Sequence, residues 1–226
     1  DHLLEIGPGK GAMTSLLLEK CESLTAIEID KDLIRFLKKA YGDRKNFNLI
    51  EKDILLYDPK ELVRVNKLIG NIPYNISTPI IEWIIDNKSS FDEIFLMLQK
   101  EFGERCVAQP NTKSYGRLSI FVQCFFDVTV IREVDKSSFT PSPKVQSIFL
   151  KLIPKVSDMT PNSILMKNLS TLTREAFSKR RKLITNSLKS FFTEEDLVNL
   201  GIERKSRPEN LSVETYIKLA KSIQSG

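Results

Sequence analysis

Through about residue 153, short β-rich runs alternate with stretches whose apolar residues recur at helical spacing. His2–Ile6 reads as a first strand and 11–20 as a helix. A second strand follows at 24–29, then a helix over Lys31–Tyr41 with Leu33, Ile34 and Leu37 on one face. Phe47–Glu51 and 67–69 read as strands three and four. The pattern predicts a helix over 78–86, with Ser77 as its N-cap and Pro79 in its first turn. The continuous apolar run 94–98 is typical of a strand covered on both faces, and 128–133 with 145–152 would form a last antiparallel pair. Such alternation implies a mostly parallel sheet with right-handed crossovers, an α/β fold of Rossmann-like type.

The pattern changes at 154–163 (PKVSDMTPNS), a linker-like stretch with two prolines. Beyond it, Leu172, Ala176, Phe177, Leu183, Ile184, Leu188 and Phe191 fall on one arc at about 100° per residue. Arg174, Lys179, Arg181, Lys182 and Lys189 fall on the other side. Pro208 separates a last helical run, 213–223. The expected organisation is an α/β domain over 1–154 and a small all-α domain over 155–226. No apolar run reaches the roughly 18–20 residues that span a bilayer, so no membrane partner is expected.

Charge sharpens this division. The 226 residues carry 34 Lys plus Arg against 29 Asp plus Glu, a net +5. Residues 1–154 balance at 21 of each sign, and 155–226 hold 13 basic against 8 acidic side chains. The whole excess lies in the last third, which calls for an anionic partner there. The one histidine, His2, and the three scattered cysteines, Cys21, Cys106 and Cys124, argue against a histidine triad or a metal site. The cysteines fit reduced side chains of a cytoplasmic protein. Asp1 leads directly into apolar Leu3-Leu4 and a glycine loop, so the chain is expected to be a piece of a longer one.

Candidate chemistry gathers where strands are expected to end. Glu5-Ile6-Gly7-Pro8-Gly9-Lys10-Gly11 lies between the first strand and helix, where glycines let a ligand approach the backbone near a helix N-terminus. Gly7, Gly9 and Ala12 also satisfy G-x-G-x-x-A, so a dinucleotide remains open. Glu28, 17 residues after Gly11, ends strand two. An acid there can hold both hydroxyls of a ribose, in a dinucleotide or in S-adenosylmethionine. Asp53 follows strand three, where a carboxylate can accept from an adenine amino group. Asn71-Ile72-Pro73-Tyr74, directly after strand four, separates these cofactors. An Asn carbonyl and the backbone carbonyl beside a proline are two fixed acceptors for an exocyclic amine, and Tyr74 offers a stacking face. Gripping both hydrogens of an adenine amine favours a more tetrahedral nitrogen, able to attack a sulfonium methyl.

With LEIGPGKGAMT, AIEID, EKDIL, GNIPYNISTPI, QKEFGERCVAQPNTKSYGRLSIFVQ, FTPSPKVQS, RRKLITNSLK and RPENLSVETYIKLA, the chain resembles the small-subunit ribosomal RNA adenine N6,N6-dimethyltransferases from Asp1 to about Ala220. The resemblance implies a Rossmann-like methyltransferase sheet, S-adenosylmethionine as cofactor, and dimethylation of two adjacent adenosines in a hairpin loop near the 3′ end of small-subunit rRNA. It implies a monomer whose partner is that rRNA in the assembling subunit. Glu5, Gly7, Gly9, Gly11, Glu28, Ile29, Asp53, Ile54 and Asn71 become cofactor contacts. Asn71, Pro73, Tyr74 and Phe139 become the catalytic set, Phe139 sandwiching a flipped base. Arg174, Lys179, Arg180, Arg181, Lys182 and Lys189, against Glu175, give a net +5 within sixteen residues and become RNA contacts. The family's N-terminal Gln-Asn-Phe-Leu segment is missing, so weak cofactor binding and weak activity are expected. The related large-subunit methyltransferases of macrolide resistance share the catalytic motifs, but RPENLS and RRKLITNSLK favour the small-subunit family. Two further readings are an assembly checkpoint that binds without turnover, and a nicotinamide-dependent dehydrogenase, which leaves Asn71–Tyr74 unexplained.

Overall fold

The structure, a computed structural model, describes residues 1–61, 65–138, 145–156, 160 and 163–223, apart from the side chain of Tyr74. Its sheet is built from β1 (His2–Ile6), β2 (Ser23–Glu28), β3 (Phe47–Glu51), β4 (Lys67–Asn71), β5 (Glu93–Gln99), β6 (Phe126–Val134) and β7 (Ser147–Pro154). The spatial order is β3-β2-β1-β4-β5-β7-β6. The first five strands are parallel, and β7 runs antiparallel to β5. Helices α1 (Ala12–Leu18), α2 (Lys31–Tyr41) and α3 (Ser77–Asp86) alternate with these strands, which is why β2 is buried at nearly every position. Leu4, Leu24, Ala26, Leu68, Ile94 and Leu96 have no exposed surface. Each such leucine or isoleucine contributes about 1.5–3 kcal/mol on burial.

Two compact units emerge. The first comprises Asp1–Gly103 and Asp127–Pro154; the second, Glu104–Phe126 and Lys155–Gly226. Residues after Pro154 thus share their unit with an earlier segment, Glu104–Phe126. That segment contains α5 (Arg117–Phe125) and the second half of α4 (Lys100–Val107), and the apolar pattern does not separate α5 from the strand that follows. Within the second unit, α5 buries Ile120, Val122 and Phe125 completely, and the Gln123 amide donates to the carbonyls of Cys106 and Ala108. The transfer moves Arg105, Lys113 and Arg117, against Glu104, so the second unit carries +7 and the first −2.

The C-terminal arc divides too. α6 (Ile164–Ser178) stops before the basic cluster, and α7 covers only Ile184–Ser187. Lys179–Lys182 form the turn between them, closed by the Lys182 amide donating to the Lys179 carbonyl at 2.8 Å. Ile184 and Leu188 are fully buried at the two ends of α7, so inward packing continued the helical period through a break. α8 (Glu194–Asn199) and α9 (Val213–Ser222) complete the unit. Ser77 departs as well: it begins α3 rather than capping it, and its hydroxyl donates back to the Pro73 carbonyl at 3.4 Å.

Gly103, in α4, marks a close approach to β7. A Cβ there would lie 2.1 Å from Cγ2 of Ile148. Replacing a helical glycine by alanine ordinarily gains up to about 1 kcal/mol, whereas overpacking costs about 1–3 kcal/mol. Gly103→Ala therefore destabilises by about 1–2 kcal/mol in urea unfolding, and Gly103→Ala with Ile148→Ala loses less than the two single changes combined.

Candidate active site

β1 and β4 are neighbours at the centre of the sheet, and the chain turns to opposite sides from them. Open parallel sheets bind ligands at such a switch point, beyond the carboxyl ends of the strands. Here the glycine loop follows β1, Glu28 ends β2, Asp53 follows β3 and Asn71 ends β4. The register pairs Ile6 with both Ile27 and Gly70, which brings the glycine loop level with Glu28 and Asn71.

The loop is defined by its hydrogen bonds. Gly7 donates to the Ile27 carbonyl at 3.0 Å and Gly11 to the Pro8 carbonyl at 2.9 Å. Gly7, Gly9 and Gly11 all have φ between +58° and +77°, a conformation that costs other residues about 1 kcal/mol or more. A Cβ on Gly7 or Gly9 would meet nothing within 4 Å, so these two leave open space. Gly11 is different: its Cβ would lie 2.6 Å from the Tyr41 ring, whose hydroxyl donates to the Gly11 carbonyl at 3.2 Å.

Glu28 is 7% exposed and holds three amides. Its Oε1 accepts from Ile29 at 2.9 Å and Asp30 at 3.0 Å, and its Oε2 from Gly9 at 3.3 Å. Asp53 accepts the Leu55 amide on Oδ1 at 2.9 Å, opening a short turn over Ile54–Leu56 in which Ile54 is buried. Ile29 is 65% exposed, an apolar surface beside Glu28. Asn71 is exposed, and its amide group takes no hydrogen bond from the described residues. The Pro73 carbonyl accepts from the Ile76 amide at 3.2 Å as well as from Ser77. Phe139 and the side chain of Tyr74 lie outside the described residues.

Glu5 stands apart. It is fully buried in β1; its Oε2 accepts from the Thr14 hydroxyl at 2.7 Å, and its Oε1 has no partner. Burial pushes its carboxyl up to about 7, against an ordinary value of 4.5, with the Thr14 hydrogen bond pulling the other way. Burial likewise pushes the Cys106 and Cys124 thiols up to about 12, which leaves both unreactive. Among the described residues, no group of three or more His, Cys, Asp or Glu side chains is placed to hold a metal ion.

In the second unit, Lys179, Arg181 and Lys182 are exposed, and residues Phe177 through Lys182 line an open hollow of about 630 Å³. Arg174 and Lys189 are exposed on either side of this turn in the chain. Arg180 is turned to another use. It is half-buried, its Nε donates to Glu209 at 2.6 Å, and its terminal nitrogen donates to the Thr112 carbonyl at 3.2 Å.

The ribosomal RNA adenine dimethylase family model matches residues 1–225. The chain belongs to that family. It is 41% identical over all its residues to ribosomal RNA small subunit methyltransferase A of Legionella pneumophila (strain Corby), covering 88% of that protein. It is 39% identical to the protein of that name from Coxiella burnetii (strain CbuG_Q212), over 97% of this chain and 86% of the other. Among solved structures, a dimethyladenosine transferase from Plasmodium falciparum superposes with a TM-score of 0.81 at 32% identity, over 97% of this chain and 88% of that one. The 23S rRNA methyltransferase ErmE superposes at 0.72 over 98% and 90%, but at 22% identity that likeness concerns the fold. As a member of this family the chain is an S-adenosylmethionine-dependent methyltransferase. The residues at the strand ends suit that cofactor: open glycines, a carboxylate at the end of β2, and a buried carboxyl with an unpartnered oxygen.

The raised Glu5 carboxyl has a consequence for stability. Its contribution is intact below the ordinary value of 4.5 and is lost as pH rises to about 7, since the folded protein binds the proton more tightly. At 1.36 kcal/mol per tenfold step, the loss reaches about 3 kcal/mol. Glu5→Gln therefore raises cofactor-free stability by about 3 kcal/mol at pH 8 and by less than about 1 kcal/mol at pH 5, read by urea unfolding at both.

Proposed function

We propose that this protein dimethylates N6 of two adjacent adenosines in a 3′-terminal hairpin loop of small-subunit rRNA, as a cytoplasmic monomer acting on the assembling subunit. The observation that carries the reading is the placement of an exposed, uncommitted Asn71 at the end of β4, beside the glycine loop that follows β1. Relatives named for the small-subunit activity, at 39–41% identity, support it over the large-subunit alternative. No helix among the described residues is long and apolar enough to cross a membrane.

In this reading the loop of Gly7, Gly9 and Gly11 lies against the cofactor, with Glu28 on the ribose and Asp53 on the adenine. Ile29 and Ile54 supply apolar surface. Glu28 already uses three of its roughly four acceptor positions, so one ribose hydroxyl would take the fourth and the second would displace the long 3.3 Å contact from Gly9. When bound, S-adenosylmethionine supplies an electrophilic methyl group on a sulfonium sulfur. Asn71 Oδ1 accepts one hydrogen of the target amine. Because the Pro73 carbonyl already closes a turn, the carbonyl of Ile72 is the acceptor for the other. Both bonds draw the nitrogen lone pair out of conjugation. Tyr74 and Phe139 would stack on the extruded base, at about 1–3 kcal/mol each against the few kcal/mol that extrusion costs.

Asn71→Ala should leave S-adenosylhomocysteine binding within a few-fold while lowering methyl transfer about 10²–10³-fold, as loss of one preorganised polar group does. The assay is tritiated cofactor with unmethylated small subunits. Label on rRNA from the variant at the wild-type rate would overturn the assignment.

Binding of phosphates falls to Lys179, Arg181, Lys182, Arg174 and Lys189, with Arg180 holding the turn in shape. For single-stranded or looped RNA, every phosphate deprived of its cation reduces the slope of log affinity against log salt by about 0.7. Arg181→Ala with Lys182→Ala should reduce the slope by about 1.4 in filter binding to the hairpin, and an unchanged slope removes both residues from the interface.

A further inference from the structure

Glu5 is a fully buried carboxyl with one oxygen bonded to Thr14 and the other unpartnered. In the register it lies opposite Ala26 and Ile69, two residues below Glu28 on β2 and Asn71 on β4. Two residues of strand are roughly 7 Å, so Glu5 is one layer beneath the floor on which the cofactor would rest. A buried carboxylate needs donors or a cation. Thr14 is its one donor among the described residues.

The ionisable groups on the surrounding elements offer no cation. On β1 the other is His2, three residues away at the strand's opposite end, bonded to Ser23. On β2 it is Glu28, another acid, occupied by its own amides. On β4 it is Lys67, at the far end and paired with Asp1 and Glu93. α1 carries none; beyond it, Cys21 has a thiol that burial pushes up and that Glu5 pushes further. The flanking Lys10, Glu19 and Lys20 are exposed.

We propose that Glu5 carries a proton in the cofactor-free protein and surrenders it to solvent when S-adenosylmethionine binds above it, so that cofactor affinity rises with pH. The proposal rests on the cofactor reading above. The balance is simple: the carboxyl O–H bond breaks, the proton passes to buffer, and the carboxylate that remains faces a ligand bearing a sulfonium and an ammonium against one carboxylate. The raised carboxyl places the change near neutrality. Affinity then climbs by about tenfold between pH 6 and pH 8 and levels off above. Glu5 acts here as a positioning residue for the cofactor's charge.

The test is titration calorimetry of S-adenosylmethionine into the wild-type chain at pH 7, in buffers of different ionisation enthalpy. The proton count follows from the slope of observed heat against buffer enthalpy. About half a proton released per cofactor is expected, because a carboxyl at about 7 is half protonated there. The same titration of Glu5→Gln, which keeps His2 and every other titrating group, should release about half a proton fewer and lose the tenfold pH dependence. Binding with the same proton count in wild type and variant overturns the inference and leaves the cofactor reading standing. Absence of binding at every pH overturns the cofactor reading, and this inference with it. The wild-type proton count needs no variant, so a poorly folded Glu5→Gln does not remove the test.

Discussion

The Glu28 carboxylate takes the amide hydrogens of Ile29 and Asp30 on one oxygen and that of Gly9 on the other, joining the turn after β2 to the loop after β1. At 7% exposure, these three donors replace the water that the side chain lost. The rest of the site follows from that joint. With Gly9 held on one side and the Gly11 carbonyl held by Tyr41 on the other, the loop keeps its left-handed glycines without side chains of its own to pack. The N-terminus of α1 then begins where the loop ends, and Thr14, in its first turn, reaches back to Glu5. Two carboxyls on adjacent strands thus differ in their partners: Glu28 has three donors, and Glu5 has one, with its second oxygen unmatched.

Much of this was legible because parallel strands buried on both faces leave an unambiguous apolar signature, and because ligands gather at the strands' carboxyl ends. Glu28, Asp53 and Asn71 are separated by roughly twenty residues each in the sequence, yet the crossover rule alone aligns them. The stretch from Leu118 to Ile131 was harder. Its apolar residues run from α5 into β6 with no polar interruption at Phe125-Phe126, both fully buried, so periodicity cannot show where helix becomes strand. That α5 packs in the second unit is a matter of distant contacts, such as the Tyr115 hydroxyl donating to the Leu211 carbonyl across 96 residues. Tertiary pairing of that kind leaves no local trace.

The RPENLS stretch shows how a motif recognised for its resemblance can serve a structural end. The Pro208 carbonyl accepts from Tyr216, and Glu209 accepts from Arg180 while its carbonyl takes the Asn111 amide. Asn210 donates to Asn111, a residue held at φ +70°, and caps the Arg207 amide. These contacts clasp the second unit around the Tyr115, Phe177 and Tyr216 rings. They also explain why a helical arc read from Leu172 to Phe191 breaks after Ser178. Arg180 is drawn to Glu209 and Thr112, and the Ile184 amide to the Ser206 carbonyl, bonds that a continuous helix would forbid.

The break changes what the positive charge can do. On an unbroken helix, the five cations of that side would spread along about 22 Å at 1.5 Å per residue. Gathered in a turn, Lys179, Arg181 and Lys182 concentrate their charge around one hollow, which suits a bend in a phosphate backbone better than a straight run. Screening limits such contacts to about 8 Å at physiological ionic strength, so in the proposed role these cations would act on phosphates within their immediate reach and read no sequence. The first unit, at −2, contributes no net attraction of its own. On the proposed assignment, affinity and base selection are therefore separable. Holding RNA would fall to the +7 unit and choosing an adenine to two uncharged acceptors at the end of β4, whose discrimination depends on hydrogen-bond geometry and so would change little with salt.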